Sequence, residues 1–262
     1  MRRINKNAKA TVILVHGGFE HFSRYRWFMG VLVKNGYNII SGDLPGHGVN
    51  TKSRGDITSF EEYLKTVDHW YEEAAALSLP IILIGHSMGG LIIVRYLQTR
   101  VTNIHSVLLS SPCFGLQEPP EKITYALARM FYRVYPKFRV PVPILFEKMT
   151  SNREVQIDIK NDPLFVKEVS IRWFIELEKA IKAAFDDIER TNLVPLLLMQ
   201  AGNDLIVKKE EGKKWFEEYP SIHKIYKEFP HMFHELLQEE KRHEVLRLML
   251  EFMLKRNEVN ML

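Results

Sequence analysis

Along the chain, short apolar runs rich in valine and isoleucine alternate with longer segments whose apolar positions recur at helical spacing, the pattern of a parallel sheet with helices on both faces. TVILVHG (11–17) predicts a strand, and SRYRWFMGVLVKNGY predicts a helix with a glycine stop. NIISGD (38–43) predicts the next strand, ended by LPGHG, whose proline and glycines force a turn. Ser59 opens SFEEYLKTVDHWYEEAAAL with Glu62 three positions on, which predicts a capping box. IILIG and LIIVRYLQTR follow as strand and helix, and SVLLSSP as a strand. After a long interval VPLLLMQAG, from 194, and HKIYKEF resume the strands, and a helical stretch from His234 to Arg256 closes the alternation.

The interval from Cys113 to Leu193 breaks the pattern. It holds the proline-rich pieces QEPPEK and RVPVPIL, poor sheet formers, and two helical stretches. In the first, Ile123, Ala126, Leu127, Met130, Phe131 and Val134 form one stripe. An insertion of this kind belongs above the C-terminal edge of the sheet, where open α/β sheets bind ligands, so residues 113–193 are expected to form a cap on a core of 1–112 and 194–262.

Composition narrows the setting. At 262 residues and 46% hydrophobic content the chain can bury an extensive core of its own. The single cysteine, Cys113, excludes an internal disulfide framework and fits a reducing compartment, with the residue itself a small packed side chain. Before His16 there is only a five-residue apolar run, too short for a secretory signal or a membrane span, and no other charge-free stretch is long enough to cross a bilayer. A soluble, cytoplasmic protein is expected. The net charge of +4 is consistent with an anionic substrate or a membrane surface, but no basic cluster calls for nucleic acid. There is no internal repeat and no metal-spaced Cys/His cluster, so no metal is expected.

The candidate chemistry begins at LIGHSMGG. A strand, G-x-S-x-G, then a helix is the context of a nucleophile elbow, in which Ser87 sits on a strained turn at a helix N-terminus. Gly85 and Gly89 are required because a Cβ there would collide with a neighbouring strand or helix. A serine hydroxyl needs a base, and the base an orienting acid, in the chain order Ser, Asp or Glu, His. Asp204 follows the strand VPLLLMQAG, and His234 follows HKIYKEF by a short loop. Asp43 also ends a strand but precedes the serine, and Asp186 and Asp187 have no strand before them. His231 stands three residues before His234 as a second candidate base. His16, Gly17 and Gly18 close the first strong strand, where the Gly18 amide could join that of Met88 as an oxyanion hole. His16 is read as stabilising that turn and His86 as packing or bonding locally.

These residues resemble the α/β-hydrolase fold, and more narrowly the bacterial lysophospholipase and monoacylglycerol lipase group of serine hydrolases, including a phospholipase-like Bacillus member. The likeness is carried by LVHGGFEHFSRY, GDLPGHGVNTKSRGDITSFEEYLKTVD, LIGHSMGG, NDPLFVKEVSIRWFIELEKAI, LLLMQAGNDLIV and FHELLQEE, nearly the whole chain. It implies a mostly parallel sheet with a helical cap inserted after the sixth strand, Ser87, Asp204 and His234 as a triad, and Gly18 and Met88 as oxyanion donors. Two departures stand out: Phe19 follows Gly18, which would narrow the pocket mouth or alter the turn, and the sheet should be shortened at its N-terminal edge.

The expected reaction is ester hydrolysis through an acyl-serine, with no cofactor, on a lysophospholipid, a monoacylglycerol or another small ester. Tyr125, Arg129, Tyr132, Arg133 and Lys137 punctuate the apolar stripe of the interval, so the cap could cover an acyl chain and touch a membrane surface transiently. Alternatives are a short-chain carboxylesterase, an acyltransferase or, with all three triad residue types present, least of all a non-catalytic binding protein.

Overall fold

The computed structural model describes residues 1–49, 51, 53–118, 132–142 and 145–259. Strands β1 (Arg2–Arg3) and β2 (Ala10–Val15), helix α1 (Arg26–Lys34), strand β3 (Tyr37–Ser41) and helix α2 (Glu61–Ala75) open the fold. Strand β4 (Ile81–His86), helix α3 (Met88–Thr99) and strand β5 (Ser106–Ser110) form its centre. The interval contributes β6 (Arg139–Pro141), short α4 (Phe146–Met149), α5 (Arg153–Asn161), β7 (Glu168–Ser170) and α6 (Ile171–Asp186). Strand β8 (Leu196–Ala201), α7 (Lys209–Glu218), β9 (Lys224–Phe229) and α8 (Arg242–Val259) complete it.

The main sheet has the order β1-β3-β2-β4-β5-β8-β9, with every pair parallel except β1 with β3. Strands β2, β4, β5 and β8 are buried along their whole length, which is why they read as continuous apolar runs, whereas the edge strand β9 alternates and carries lysines. Alternate residues serve opposite faces: Ile13, Leu83 and Leu109 pack against α2 and α3, and Leu14, Ile84 and Leu108 pack against α1 and α8. Each such side chain contributes about 1.5–3 kcal/mol by leaving water.

After β2 the chain steps to β3 on one side and later to β4 on the other, so the direction of winding reverses at β2/β4. Ligands of open α/β sheets bind outside the strand ends at such a switch point. Register brings the relevant ends level: Val15 lies opposite Gly85, His86 opposite Ser110, Ser110 opposite Met199, and Ala201 opposite Phe229.

Four expectations change. Counted along this chain, the interval follows the fifth strand, not the sixth, because the residues before β2 supply only the two-residue β1 at that edge. The first three residues of RVPVPIL do enter a sheet, as β6 in a two-stranded ribbon with β7, where both strands are edges and Pro141 at the strand end needs no donor. The capping box is displaced: Glu62 accepts the Thr58 N–H (2.6 Å), the Phe60 N–H goes to Glu176 of α6 (3.1 Å), and α2 starts at Glu61. The last helix starts at Arg242 rather than at His234, since Glu235 (ψ 71°) and Glu239 (ψ 156°) leave helical geometry to bond elsewhere.

Candidate active site

Ser87 sits between β4 and α3 with φ 51° and ψ −119°, a conformation costing on the order of 1–3 kcal/mol for a residue with a side chain. It is held from both sides: its N–H donates to the Ser110 carbonyl (2.9 Å), and its carbonyl accepts from Cys113 (3.0 Å) and Gly90 (3.0 Å). The glycines around it are sterically required. A Cβ on Gly85 would lie 2.6 Å from the Gly89 carbonyl oxygen, and one on Gly89 would lie 2.2 Å from that of Val15. Met88 opens α3, so its N–H has no intrahelical acceptor.

Asp204 and His234 come from the loops after β8 and β9 and are both buried. Asp204 Oδ1 accepts the N–H groups of Ile206 (3.0 Å) and Val207 (2.9 Å), and Oδ2 accepts from Gln200 Nε2 (3.1 Å) and from His234 Nδ1 (2.8 Å). With Nδ1 donating, Nε2 of His234 is the acceptor nitrogen. Burial alone would raise the Asp204 pKa, but His234 and the two backbone donors hold it below the usual range. For His234 burial opposes the charged form, yet Asp204, then Glu235 and Glu20, raise its pKa above the ordinary histidine value. His231, in contrast, is exposed. The aspartates set aside are occupied too: Asp43 accepts from Phe22 (3.2 Å) and Val49 (3.0 Å), and Asp187 pairs with Arg95 (2.8 Å).

The HGG turn lies across from the elbow. His16 donates from Nδ1 to the Gly17 carbonyl (2.8 Å) and accepts the Leu44 N–H at Nε2 (2.9 Å), a turn-fixing role, and His86 donates to the Ser110 carbonyl (3.1 Å). Burial, with the neighbouring His234, pushes His86 down to about 3, so it stays neutral. The Gly17 N–H is taken by Glu20 (2.7 Å). Gly18 abuts Met88, whose Cβ would be 3.7 Å from a Cβ placed there. Phe19 has φ 67°, and its ring lies 5.2 Å from that of Trp173. The NDPL stretch anchors the turn: Asp162 accepts from His21 Nε2 (2.7 Å), and the Val166 N–H donates to the Phe19 carbonyl (2.8 Å).

Ser87, His234, Gly18 and Met88 line one cavity of about 330 Å³, whose remaining wall is chiefly apolar and includes Phe19, Leu116, Val140, Met149, Trp173, Phe174 and Leu177. Cys113 also lines it, its thiol pushed up to about 12 by burial and by Asp204, hence neutral. Tyr125 and Arg129 lie outside the described residues, as do Ile123, Ala126, Leu127, Met130 and Phe131. Tyr132 and Arg133 are described and do not line the cavity: Lys179 Nζ lies 5.1 Å from the Tyr132 ring centre, and Arg133 is exposed. Among the described residues, α6 supplies much of the apolar wall, because Trp173, Phe174 and Leu177 share the side turned to the sheet edge. IRWFIELEKAI has the period of an amphipathic helix, which foretells a buried face but not the cavity it walls. Glu20 and Glu235, also at the cavity, carry no sequence signal beyond adjacency to the turn and to His234. No group of three or more His, Cys, Asp or Glu among the described residues is placed to hold a metal ion.

A family model described as serine aminopeptidase, S33, matches residues 6–241. Phospholipase YtpA of Bacillus subtilis (strain 168) is 38% identical over 239 residues, covering 91% of this chain and 92% of the relative. Monoglyceride lipase of Rattus norvegicus is 26% identical over 242 residues, 88% of this chain and 77% of the relative. Among solved structures, the monoacylglycerol lipase of Paleococcus ferrophilus superposes with a TM-score of 0.88 at 29% identity, covering 98% of both chains. A soluble variant of monoglyceride lipase from Saccharomyces cerevisiae, with a substrate analogue, superposes with a TM-score of 0.86 at 23% identity over 96% of this chain and 88% of that one, a likeness of fold.

Proposed function

The chain belongs to the serine aminopeptidase S33 (Hydrolase_4) family of serine hydrolases with the α/β-hydrolase fold, and on that premise we propose that it hydrolyses lysophospholipids or monoacylglycerols at the acyl ester, with Ser87, Asp204 and His234 as its triad. The observation that carries this reading is the 2.8 Å bond from His234 Nδ1 to Asp204, at the edge of an apolar cavity that His234 shares with Ser87. An apolar wall of this extent suits an acyl chain rather than a peptide N-terminus.

His234 Nε2 takes the Ser87 hydroxyl proton as Oγ attacks the ester carbonyl, and Asp204 stabilises the imidazolium. The N–H groups of Gly18 and Met88 receive the oxyanion of the tetrahedral intermediate. Its collapse breaks the bond to the leaving oxygen, which His234 protonates as the alcohol departs. Water, deprotonated by His234, then attacks the acyl-serine and releases the fatty acid. No step requires a metal or an organic cofactor.

Residues 113–193 act in this reading as the cap. Val134, Tyr135, Phe138 and Val140 are exposed there beside Arg133 and Lys137, and Val140 also reaches the cavity, which supports transient contact with a membrane surface. Among the described residues no helix is long and apolar enough to cross a membrane. A cytoplasmic location rests on the single buried cysteine.

Release of fatty acid from lysophospholipids, monoacylglycerols and short p-nitrophenyl esters, with an aminoacyl amide and an alcohol acceptor in the same panel, tests the proposal. The expected result is hydrolysis of long-chain lipid esters that falls by about 10⁴ or more in Ser87→Ala. Turnover confined to short esters, to the amide or to acyl transfer would replace the substrate assignment, and activity surviving in Ser87→Ala would remove the triad.

A further inference from the structure

The oxyanion turn follows β2 and the base loop follows β9, with β4, β5 and β8 between them in the sheet. Four interstrand steps of about 4.8 Å put those strand ends roughly 19 Å apart, so no ladder of backbone bonds fixes one loop against the other. They meet above the sheet edge through three buried charged side chains. Glu20 Oε1 accepts from the Gly17 N–H (2.7 Å) and the Tyr25 hydroxyl (2.6 Å), and its Oε2 accepts from Arg24 Nη1 (2.8 Å). Arg24 then donates to both oxygens of Glu235, from Nη1 (2.6 Å) and Nη2 (2.7 Å). One covalent link further along is His234. Both carboxylates line the cavity, and the Arg24 guanidinium carbon lies 5.3 Å from the Phe165 ring centre, away from bulk water.

We propose that Glu20, Arg24 and Glu235 are positioning residues, a buried brace that sets the Gly17–Gly18 turn against the loop carrying His234. The proposal rests on the reading of Ser87 and His234 given above.

A purely structural explanation fits the cluster poorly. Apolar side chains of the same volume commonly match or exceed the stability of a buried ion triad, so stability alone does not call for two carboxylates and an arginine here. What apolar packing cannot reproduce is direction. A planar guanidinium with a two-pronged contact on one carboxylate and a single contact on the other fixes the relative orientation of the two loops, which a lysine ammonium could not. The charge has a second consequence. After Asp204, Glu235 and then Glu20 favour the charged form of His234, whose ring also meets the neutral His86; burial raises the Glu235 pKa, and the Arg24 contact opposes that rise. The charge of the two carboxylates favours the imidazolium formed during acyl transfer.

Steady-state kinetics on a lipid ester and on p-nitrophenyl butyrate test the brace in Glu235→Gln, Arg24→Lys and the triple variant E20Q/R24M/E235Q. Rates are taken per folded molecule, counted by circular dichroism, beside Ser87→Ala. The triple variant has no unpaired buried charge to unfold it. The expected result is a 10- to 100-fold fall in kcat with KM changed less than about threefold, because orientation rather than binding is lost. In Glu235→Gln the acid limb of kcat/KM also moves to lower pH: removing negative charge beside His234 lowers its pKa, so the neutral base persists further into acid. Wild-type kcat and an unmoved pH profile per folded molecule, in variants that melt early or not, would reduce the cluster to scaffolding and overturn the brace. If Ser87→Ala itself kept activity, the failure would lie in the triad and not in the brace.

Discussion

The floor and the roof of the cavity are held in different ways. The floor is the C-terminal edge of the sheet, where strand pairing sets each loop origin: Val15 against Gly85 and His86 against Ser110 leave Ser87 and the HGG turn side by side. The roof is made from the interval between β5 and β8, which no strand pairing joins to the main sheet; its ties are the apolar packing of α6 against the core and separate hydrogen bonds, such as His21 to Asp162, Arg172 to Asp56 (2.6 Å) and the Ser151 N–H to Glu239 (2.8 Å). A backbone ladder has little freedom, because a slip by one residue turns every side chain to the other face. Side-chain ties are replaceable one at a time. On the proposed function, the chemistry belongs to the floor and the selection among acyl chains to the roof.

Breaking the floor should cost most. In Gly89→Ala the new Cβ must displace the Val15 carbonyl from 2.2 Å, so the urea midpoint should report a loss of about 3 kcal/mol, and hydrolysis per folded molecule should fall by about 100-fold or more as the HGG turn shifts. A variant with wild-type stability would mean that the floor has slack. A cut in the roof should act on selectivity instead. Phe174→Ala removes a half-buried ring from the cavity wall, and KM for long-chain esters should rise about tenfold, near 1.4 kcal/mol, while short esters and the melting temperature change little. Equal losses on both ester classes would place Phe174 with the chemistry. The smallest effect belongs to the outer surface: K137E should weaken binding to anionic vesicles about fivefold, near 1 kcal/mol, in a sedimentation assay, with soluble-ester turnover unchanged. Unaltered vesicle binding would leave the exposed apolar side chains, without the charges, as the contact.

The same division explains which parts were legible in advance. The buried strands of the floor could be read from short apolar runs, the edge strand β9 from HKIYKEF, and the Ser87 elbow from its glycines, since these signals are local: a Cβ collision or a buried strand depends on residues a few positions away. The roof was harder. Its expected stripe lies outside the described residues from Ile123 to Phe131, and its last member, Val134, is exposed; Tyr132 and Arg133 do not line the cavity, and among the described residues α6 supplies much of the wall. The Ser59 cap failed because the Glu62 carboxylate takes the Thr58 N–H rather than that of Ser59, while Glu176, distant in sequence, takes the Phe60 N–H.

By itself the sequence determined the order of the long strands of the main sheet, the strained serine between its glycines, and the placement of Asp204 and His234 after later strands, because periodicity and turn chemistry act over a few residues. Only the tertiary structure decided which helix face walls the cavity, where the last helix begins, and that Arg24 meets Glu235 across 211 positions. Those outcomes depend on burial and hydrogen-bond satisfaction between groups that no local pattern relates. A buried charge takes whichever partner the fold brings within reach, and that partner is known only once the sheet has been assembled.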